Sequence, residues 1–448
     1  MKGSSLVKLR KSMLTISILL TLSLSSLHAG KYYVLCEGNF GQANASLWSI
    51  DESLETIAGP LIWNASSNPL GDVGQSLTLY DHSLYIILNG SHEVRVIDLE
   101  SSETHFADIE IPDSSPRYLA VHDESGLGYI SSWGMGGLLV VDLETNTVID
   151  TFSLGFLPEQ ILIIEDEMFV SVPLRSDWST ANKVLRIDLS GNALEVTHSY
   201  DVIDGPGAMA LIEDQLYVTS VYYNDAWESF TGTSRINLTD HTVVSMDHGY
   251  YANYTAGINT IDGVAYRTFG NSIVPINEDL TLNSDASIGN ISGIYSHSIG
   301  NNHILIGSSD FVAPDLVSIL SLNGEALGSF NVGALPSQIV YYSSDVVSTD
   351  HFTVVPTTLT LGYNYPNPFN PSTSIPFSLE KSASVSLSIF DISGGIVATL
   401  IDDHLSAGNY TTIWDGTNLQ GQAMSSGIYH AILKSNSQST AIKLNLLK

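Results

Sequence analysis

The sequence predicts an all-β protein in which a seven-bladed β-propeller is followed by an immunoglobulin-like β-sandwich. Three observations lead to this fold class. A unit of four strand-like runs recurs along the first three quarters of the 448-residue chain. One copy of the innermost run stands apart, after the last unit. A proline-rich segment then precedes a further set of strand-like runs.

The clearest copy of the repeat lies between Ser115 and Gly155. It contains the runs PRYLAV, LGYISSW, LLVVDL and TVIDTFSL, separated by clusters of Asp, Glu, Ser, Gly and Asn. The third run is almost continuously apolar, which predicts a strand buried on both faces, whereas the fourth alternates with polar residues as an outer strand does. We therefore predict a four-stranded antiparallel sheet that must pack against neighbouring sheets.

The second run of this unit occurs seven times. Its copies begin near Tyr32, Leu84, Gly128, Met168, Leu216, Ala265 and His303. They are about 38 to 52 residues apart, close to the roughly 40 to 45 residues of a propeller blade. Copies of the third run follow each of them, from SLWSID in the first unit to LVSILS in the last.

The innermost run predicts how the ring closes. Six copies precede their second runs, namely GQSLTLY, PRYLAV, PEQILII, PGAMALI, AGINTI and SGIYSHS, but the seventh, PSQIVYY, follows the last unit at 336–342. We predict that this copy is the innermost strand of the first blade, so that the two ends of the repeat region pair and leave no exposed edge. A β-sandwich or an open solenoid is the alternative, and neither explains the displaced copy.

The first 29 residues have the pattern of a secretory signal. Four basic residues precede an apolar run, and Ala29 ends a short cleavage-site sequence. A membrane anchor is the alternative, but the apolar run is short for one. We predict a signal peptide over 1–29, a propeller over 30–345, a linker over 346–360 and a C-terminal domain over 361–448.

Charge and cysteine content narrow the range of partners. The chain has 47 acidic and 16 basic residues, which disfavours nucleic acid and anionic membrane surfaces as partners. No stretch after the signal is long and apolar enough to cross a bilayer, so we predict no membrane span in the mature chain. Cys36 is the only cysteine, which excludes an internal disulfide framework or thiolate metal cluster. We predict that it is buried in a strand.

The C-terminal part differs in composition. The segment from Pro356 to Pro376 contains five of the fifteen prolines, which indicates a domain boundary. About six strand-like runs follow, including SVSLSIFDI and SGIYHAIL, as in an immunoglobulin-like sandwich.

The segment YNYPNPFNPSTSIPFSLEKSASVSLSIFDISGGIVATLI, with AGNYTTIWDG, SGIYHAIL and IKLNLLK, resembles the type A C-terminal sorting domain of the type IX secretion system. That domain is itself similar to the immunoglobulin-like domain of flagellar hook-capping proteins. Gly395 stands where the family usually has a basic residue. The resemblance implies that residues 361–448 contact the secretion machinery, and that the protein is extracellular or lies on the outer cell surface. A sandwich without an address function is the alternative.

The block EGNFG at 37–41, with NASL at 44–47, NPLGDVGQS at 68–76 and SPRY at 115–118, is similar to YncE-like propellers of the surface-layer type. Some members of that family capture corrinoids at the outer membrane, and most have no assigned activity. The resemblance implies binding of a small molecule, a glycan or a surface protein, rather than catalysis.

Propeller geometry selects the candidate binding residues. The loops that enter the innermost strands and those that join second to third strands open on one face, around a central funnel. The candidates in these loops are Glu37, Asn39, Phe40, Asp72, Gln75, Asn89, Arg117, Tyr118, Trp133, Glu159, Arg175, Trp178 and Trp227, with Asp177, Tyr222, Tyr223 and Asn271 as further members.

Aromatic side chains and arginine dominate binding hot spots, and only six arginines lie beyond the predicted signal. Aromatic rings would suit a flat conjugated or sugar-like ligand, and Arg117 and Arg175 would suit a carboxylate or phosphate. Alternatively, Arg117 and Glu159 pair with each other, and the tryptophans cover loops.

Signatures of common enzymes are absent from the sequence: it contains no G-x-S-x-G, H-E-x-x-H, Walker loop or G-x-G-x-x-G. We predict no catalytic residues, no metal and no cofactor. A calcium-dependent lactonase-type site would need Glu37, Asp72 and Asn89 to converge on the funnel. A metal-assisted hydrolase therefore stays an alternative, beside capture of a corrinoid or other micronutrient and a structural surface-layer role.

Overall fold

The computed structural model describes residues 30–61, 70–99, 104–191, 193–251, 256–312, 314–343, 360–361, 364, 369–379, 383–391, 395–405, 408–419, 421–435 and 438–447. These residues are almost entirely in β-strands, apart from turns and the short 3-10 helix Ser284–Ala286. Seven sheets form a propeller and two further sheets form a sandwich, so the predicted fold class is confirmed.

The strands of the propeller follow the predicted repeat. Blade 1 contains β1 (Lys31–Cys36), β2 (Ser46–Asp51) and β3 (Ile57–Ala58); blade 2 contains β4 (Gly74–Tyr80), β5 (Ser83–Leu88), β6 (Glu93–Asp98) and β7 (Thr104–Glu110). Blade 3 contains β8 (Pro116–His122), β9 (Leu127–Ser132), β10 (Gly137–Asp142) and β11 (Thr147–Ser153). Blade 4 contains β12 (Phe156–Leu157), β13 (Ile161–Ile164), β14 (Glu167–Arg175), β15 (Thr180–Asp188) and β16 (Glu195–Asp201).

The remaining blades follow in chain order. Blade 5 contains β17 (Pro206–Ile212), β18 (Gln215–Tyr223), β19 (Ser229–Asn237) and β20 (Val243–Tyr250); blade 6 contains β21 (Ile258–Ile261), β22 (Val264–Phe269) and β23 (Ser272–Pro275). Blade 7 contains β24 (Ile294–Gly300), β25 (His303–Ser308), β26 (Asp315–Ser321) and β27 (Ala326–Val332). The next strand, β28 (Pro336–Tyr342), returns to blade 1.

Strand β28 closes the ring. It pairs antiparallel with β1, with Lys31 opposite Tyr342 and Leu35 opposite Gln338. The first blade therefore has the strand order β28-β1-β2-β3. The innermost strands contact one another in the order β28, β4, β8, β13, β17, β21, β24 and again β28, with β17 reaching blade 4 through β14. The predicted closure by the displaced innermost run is confirmed.

Side chains join blade 1 to both of its neighbours. Ser296 Oγ of blade 7 donates to Pro336 O at 2.6 Å. Gln338 accepts from Leu77 N of blade 2 at 2.8 Å and donates to Leu77 O at 3.2 Å. Because these bonds run between inner strands, they hold the ring together where the two chain ends meet.

Burial follows the predicted pattern. Five of the six residues of β10 are buried, whereas β11 is exposed along most of its length. The buried side chains of blades 2 and 3 form one cluster, which includes Ile87, Val96, Ile130 and Val141. The core therefore lies between adjacent blades, as expected for sheets that cannot bury their faces alone.

Cys36 ends β1 and is fully buried, as predicted. Burial raises the pKa of its thiol to about 12. The thiol is therefore protonated at physiological pH and behaves as a small apolar side chain.

The C-terminal sheets form a separate core. The strands are β29 (Thr360–Leu361), β30 (Thr373–Leu379), β31 (Ala383–Asp391), β32 (Ile396–Leu405), β33 (Gly408–Trp414), β34 (Gly427–Ser435) and β35 (Gln438–Leu446). One sheet has the order β29-β30-β33 and the other β32-β31-β34-β35. Buried Trp414 lies between them, with its ring centroid 5.5 Å from that of Phe369 and 5.0 Å from that of Tyr429.

Two predictions fall outside the described residues. These are the signal peptide at 1–29 and the linker at 346–360, of which only Thr360 is described. The predicted domain limits therefore stay predictions. In the part of the chain that the structure describes, no helix is long and apolar enough to cross a membrane.

Candidate functional site

β-Bulges lie where three innermost strands enter the funnel. The pairing register shifts at or beside the second residue of β4, β8 and β24, in blades 2, 3 and 7. These second residues are Gln75, Arg117 and Tyr295. A bulge changes the direction of the extra side chain. At the funnel, Gln75 and Arg117 join Glu159 of blade 4, and Tyr295 joins Glu37 of blade 1; these five side chains are called the funnel network.

Arg117 is the centre of this network. Its Nε donates to Glu159 Oε2 at 2.9 Å and its Nη2 to Glu159 Oε1 at 2.7 Å, while Nη1 donates to Gln75 Oε1 at 2.6 Å. The guanidinium carbon lies 4.1 Å from the ring centroid of Trp133. The side chains of Arg117 and Glu159 are only 16% and 14% exposed. A bidentate carboxylate and a stacked ring are the strongest partners of arginine.

The pairing answers the question that the sequence left open about Arg117. Burial lowers the pKa of Arg117, but the charge and hydrogen bonds of Glu159, together with the charges of Tyr118 and Glu37, outweigh burial, and the pKa is raised. The guanidinium is therefore charged and already neutralised inside the protein. The structure therefore shows the pairing of Arg117 with Glu159, and binding of a carboxylate or phosphate by Arg117 stays a prediction.

Glu37 lies on the blade 1 side of the network. Tyr295 Oη donates to Glu37 Oε2 at 2.5 Å. Burial raises the pKa of Glu37, while the bond from Tyr295 and the charge of Arg117 partly oppose the shift. Burial also raises the pKa of Tyr118, which shares the charged surroundings of Glu159 and Arg117. With Glu37 ionised, the funnel holds two negative charges against one positive charge.

This raised pKa predicts a pH-dependent stability. In the folded protein Glu37 holds its proton above the ordinary carboxyl pKa of 4.5. The contribution of Glu37 to the free energy of unfolding is therefore fully present below pH 4.5 and is lost as the pH rises through the folded-state pKa. We expect Glu37→Gln to raise the melting temperature relative to wild type at pH 7 to 8, with the difference disappearing towards pH 4.

The control is Glu144→Gln, which removes an exposed carboxylate outside the funnel. It reports the effect of one charge fewer in an acidic chain. Equal pH profiles for the Glu37 and Glu144 variants, measured by differential scanning fluorimetry, would contradict the expectation.

Asp72 positions the loop that carries Phe40. Both Asp72 carboxylate oxygens accept from Gly41 N at 3.0 Å. Asn39 is held in the same loop, since its N donates to Asn44 Oδ1 at 2.7 Å. Phe40 stands at the tip and is 84% exposed. Asn39 and Phe40 therefore lie on the rim, and Asp72 supports them.

The three side chains proposed for a calcium site have separate partners. Glu37 bonds Tyr295, Asp72 bonds its loop, and Asn89 Nδ2 donates to Pro116 O at 3.0 Å. These contacts do not support the idea of a shared cation.

Among the described residues, one group of His, Cys, Asp or Glu side chains has ligand atoms within 4.8 Å of one another: His122, Glu124 and Asp166. His122 ends β8, whereas Arg117 is near its beginning, so this group lies away from the funnel. His122 Nδ1 and Nε2 already contact Ser125 and Asp166. We therefore assign no metal to this group.

The tryptophan candidates lie on the rim above the funnel. Trp178, at the tip of the β14–β15 loop, is 64% exposed and meets Trp133 edge-on at 5.7 Å between centroids. Trp133 Nε1 donates to Pro158 O at 2.9 Å, which fixes its ring under Arg117. Trp227, at the tip of the β18–β19 loop, is 84% exposed.

The other rim candidates mostly support loops. Arg175 donates to Thr180 O, and Asp177 accepts from Ser179 Oγ at 2.6 Å, a bond that lowers the pKa of Asp177. Tyr222 Oη donates to Asp247 Oδ2 at 2.7 Å. Tyr223 lies beside Trp227, and Asn271 is exposed at the blade 6 turn.

Sequence reasoning missed Tyr295 and Phe311. Tyr295 is the second residue of β24, the position that Gln75 has in β4 and Arg117 in β8. In the run SGIYSHS it is the fourth residue, and its equivalence to Arg117 follows only from the start of β24 at Ile294. Phe311 lies in the blade 7 loop equivalent to that of Trp178. It follows Asp310 in the sequence, as Trp178 follows Asp177.

Blade 5 has small side chains at the funnel, as does blade 6 with Ala256 and Gly257 at the equivalent positions. In β8 and in β17 the register shifts between the initial proline and the residue three places later. Gly207 and Ala208 therefore occupy the positions that Arg117 and Tyr118 have in blade 3. A Cβ added at Gly207 would meet one atom within 4 Å, Thr219 O at 3.9 Å. The funnel wall therefore has a notch at blade 5.

Comparison with known proteins assigns the C-terminal unit. Residues 369–439 match the FlgD Ig-like domain. The matched residues include strands β30 to β34 and the first two residues of β35. No curated protein matches the chain.

Solved structures share the propeller fold. A putative 6-phosphogluconolactonase from Bacteroides uniformis ATCC 8492 is similar with a TM-score of 0.51 and 12% identity, over 70% of this chain and 99% of that chain. A functionally unknown protein from Desulfotomaculum acetoxidans DSM 771 has a TM-score of 0.50 and 11% identity, over 69% of this chain and 98% of that chain. Apo AztD from Citrobacter koseri has a TM-score of 0.41 and 12% identity, over 86% of this chain and 98% of that chain. For the first two proteins, at such identities, the likeness concerns the fold alone.

Proposed function

We propose that the protein is a secreted or cell-surface binding protein whose ligand occupies the funnel face of the propeller. One observation carries this proposal: polar side chains from five blades converge at the funnel beside the notch at Gly207. They form two hydrogen-bonded groups, which interact through the charges of Glu37 and Arg117. The network consists of Glu37, Gln75, Arg117, Glu159 and Tyr295. Converging polar groups within a rim of aromatic rings are the usual composition of a ligand site.

The contacts favour binding over hydrolysis. Arg117 and Glu159 satisfy each other. Tyr295 donates to Glu37, but burial raises the pKa of the Tyr295 hydroxyl, so it keeps its proton and is a poor nucleophile. One protein of similar fold is named as a lactonase for a phosphorylated sugar acid. An anionic substrate of that kind would meet two carboxylates and an arginine that is already paired.

A variant that fills the notch tests this proposal. Gly207→Trp adds a large side chain where a Cβ has almost no neighbours. The purified protein is screened by thermal shift against cobalamin, neutral and acidic oligosaccharides, and Ca²⁺. We expect the variant to weaken binding of the stabilising compound at least tenfold in equilibrium dialysis, without lowering the melting temperature of the free protein.

The matched control is Gly328→Trp on the outer strand β27, where an added Cβ meets nothing within 4 Å. Unchanged binding by Gly207→Trp, or an equal loss in both variants, would show that the ligand is held elsewhere. Stabilisation by cobalamin would favour corrinoid capture, and ester or lactone hydrolysis that requires Ca²⁺ would favour the hydrolase.

We also propose that the C-terminal unit directs export through the type IX secretion system. The sorting-domain resemblance and the match of residues 369–439 support this proposal. In a bacterium with that system, the full chain is expected at the cell surface or in the medium, whereas a chain ending after Ser343 is expected to stay in the periplasm. Equal export of both chains would contradict it.

A further inference from the structure

Three aromatic residues at the rim have a backbone conformation that bulky residues rarely adopt. Trp178, Trp227 and Phe311 have φ angles of 67°, 61° and 68°. They lie in equivalent loops, between the second and third strands of blades 4, 5 and 7. A bulky residue at positive φ carries strain and persists only where its surroundings hold it.

Hydrogen bonds hold each of these loops. The amide of Trp178 donates to Arg175 O and that of Trp227 to Asn224 O, both at 2.9 Å, which closes a turn in each loop. In the third loop the amide of Phe311 donates to Ser309 Oγ at 2.9 Å. The backbone of each loop is therefore held in place, and the three residues are 64%, 84% and 50% exposed.

Each exposed ring rests on a second ring. The three ring pairs, with their centroid separations, are Trp178 and Trp133 at 5.7 Å, Trp227 and Tyr223 at 6.3 Å, and Phe311 and Tyr295 at 6.4 Å. Two of the supporting rings contact or belong to the funnel network, because Trp133 lies under Arg117 and Tyr295 bonds Glu37. The rim and the funnel are therefore parts of one surface.

An acidic residue is next to each exposed ring in the chain: Asp177 beside Trp178, Glu228 beside Trp227, and Asp310 beside Phe311. These carboxylates are exposed and accept hydrogen bonds within their loops. Each keeps further acceptor positions, since a carboxylate can accept about four bonds. The surface beside each ring is therefore rich in acceptors and negatively charged, which disfavours anionic ligands.

We infer that the three ring pairs bind a neutral glycan that lies across the funnel face. A sugar ring offers an apolar C–H face that stacks on an aromatic ring, and hydroxyl groups that donate to carboxylates. A protein partner would instead require a continuous desolvated core with polar groups at its edge. Here each exposed ring has an exposed carboxylate next to it in the chain. This inference rests on the proposed function and names the class of its ligand.

The test uses glycine at the strained positions. Glycine adopts positive φ without strain, so Trp178→Gly and Trp227→Gly remove the rings and keep the loop conformation. The full chain is run in native gels that contain barley β-glucan, xylan or glucomannan, with alginate as a polyanionic probe. Binding of a lysine-rich peptide is measured by tryptophan fluorescence. We expect retardation by at least one neutral polysaccharide, and at least tenfold weaker retardation of the double variant at an unchanged melting temperature.

The matched control is Ile149→Ala, which removes an exposed apolar side chain from the outer strand β11. It should retain affinity within twofold. The inference is overturned if no neutral polysaccharide retards the protein, if the glycine variants bind as wild type does, or if alginate or the peptide binds more tightly. If no polysaccharide binds, but binding of another compound is weakened by Gly207→Trp, the ligand is not a glycan and the proposed function is left intact.

Discussion

Replacing Arg117 with methionine is expected to destabilise the propeller by about 3 kcal/mol, the typical cost of leaving a buried charge without its partner. Glu159 would lose both charge-assisted bonds at 2.9 and 2.7 Å, and Glu37 would lose a nearby positive charge. Trp133 would keep an apolar neighbour in place of the guanidinium. The measurement is the free energy of unfolding from urea denaturation at pH 7.

Two further variants separate the ion pair from packing. Arg117→Met with Glu159→Leu removes both charges and is expected to recover most of the lost stability, because neither partner is left alone. Lys183→Met breaks the exposed pair with Asp201 and is expected to cost less than about 1 kcal/mol. An Arg117→Met variant no less stable than Lys183→Met would show that the funnel pair does not contribute to the fold.

Removing β28 is expected to unfold the propeller at room temperature. A chain that ends after Leu335 lacks the antiparallel partner of β1 and the buried side chains of Ile339 and Val340, which are 3% and 5% exposed. Burial of those two side chains alone contributes roughly 3 to 6 kcal/mol. The truncation also removes the bonds of Gln338 to blade 2 and opens an edge strand. Since native proteins are marginally stable, the sum is a large part of the total.

The control for this truncation is the chain that ends after Ser343, which keeps β28 and removes the C-terminal unit. We expect it to melt cooperatively, and the shorter chain to show neither cooperative melting nor dispersed NMR signals. A folded, monomeric chain ending at Leu335 would contradict the importance of ring closure. Because the chain that ends after Ser343 keeps the ring closed, it is also the suitable variant for the export experiment.

Local patterns in the sequence were sufficient for the architecture. Apolar runs of strand length, separated by turn residues, predicted the blades, and the displaced PSQIVYY run predicted closure between β28 and β1. The same reasoning placed Arg117 and Glu159 at the funnel, because the beginnings of the inner strands face it in every blade. It did not identify Tyr295, because that residue is the fourth of the run SGIYSHS, whereas Arg117 is the second of PRYLAV.

The choice of partners depended on the tertiary structure. Arg117 and Glu159 are 42 residues apart, and Glu37 and Tyr295 are 258 apart. These pairs form only when the ring places blades 3 and 4, and blades 7 and 1, side by side. The positive φ angles of Trp178, Trp227 and Phe311 have no sequence signal either, because loop hydrogen bonds hold them against an intrinsic preference for other conformations.

The sequence by itself determined the seven-fold repeat, the closure of the ring and several of the residues that reach its funnel face, Arg117 and Glu159 among them. Strand periodicity and turn composition are local properties, and they recur in each blade. The tertiary structure alone decided that Arg117 is neutralised by Glu159, that Gly207 leaves a notch and that the rim rings stand in pairs. These features arise between blades or from loop geometry, where contacts join residues that are distant along the chain.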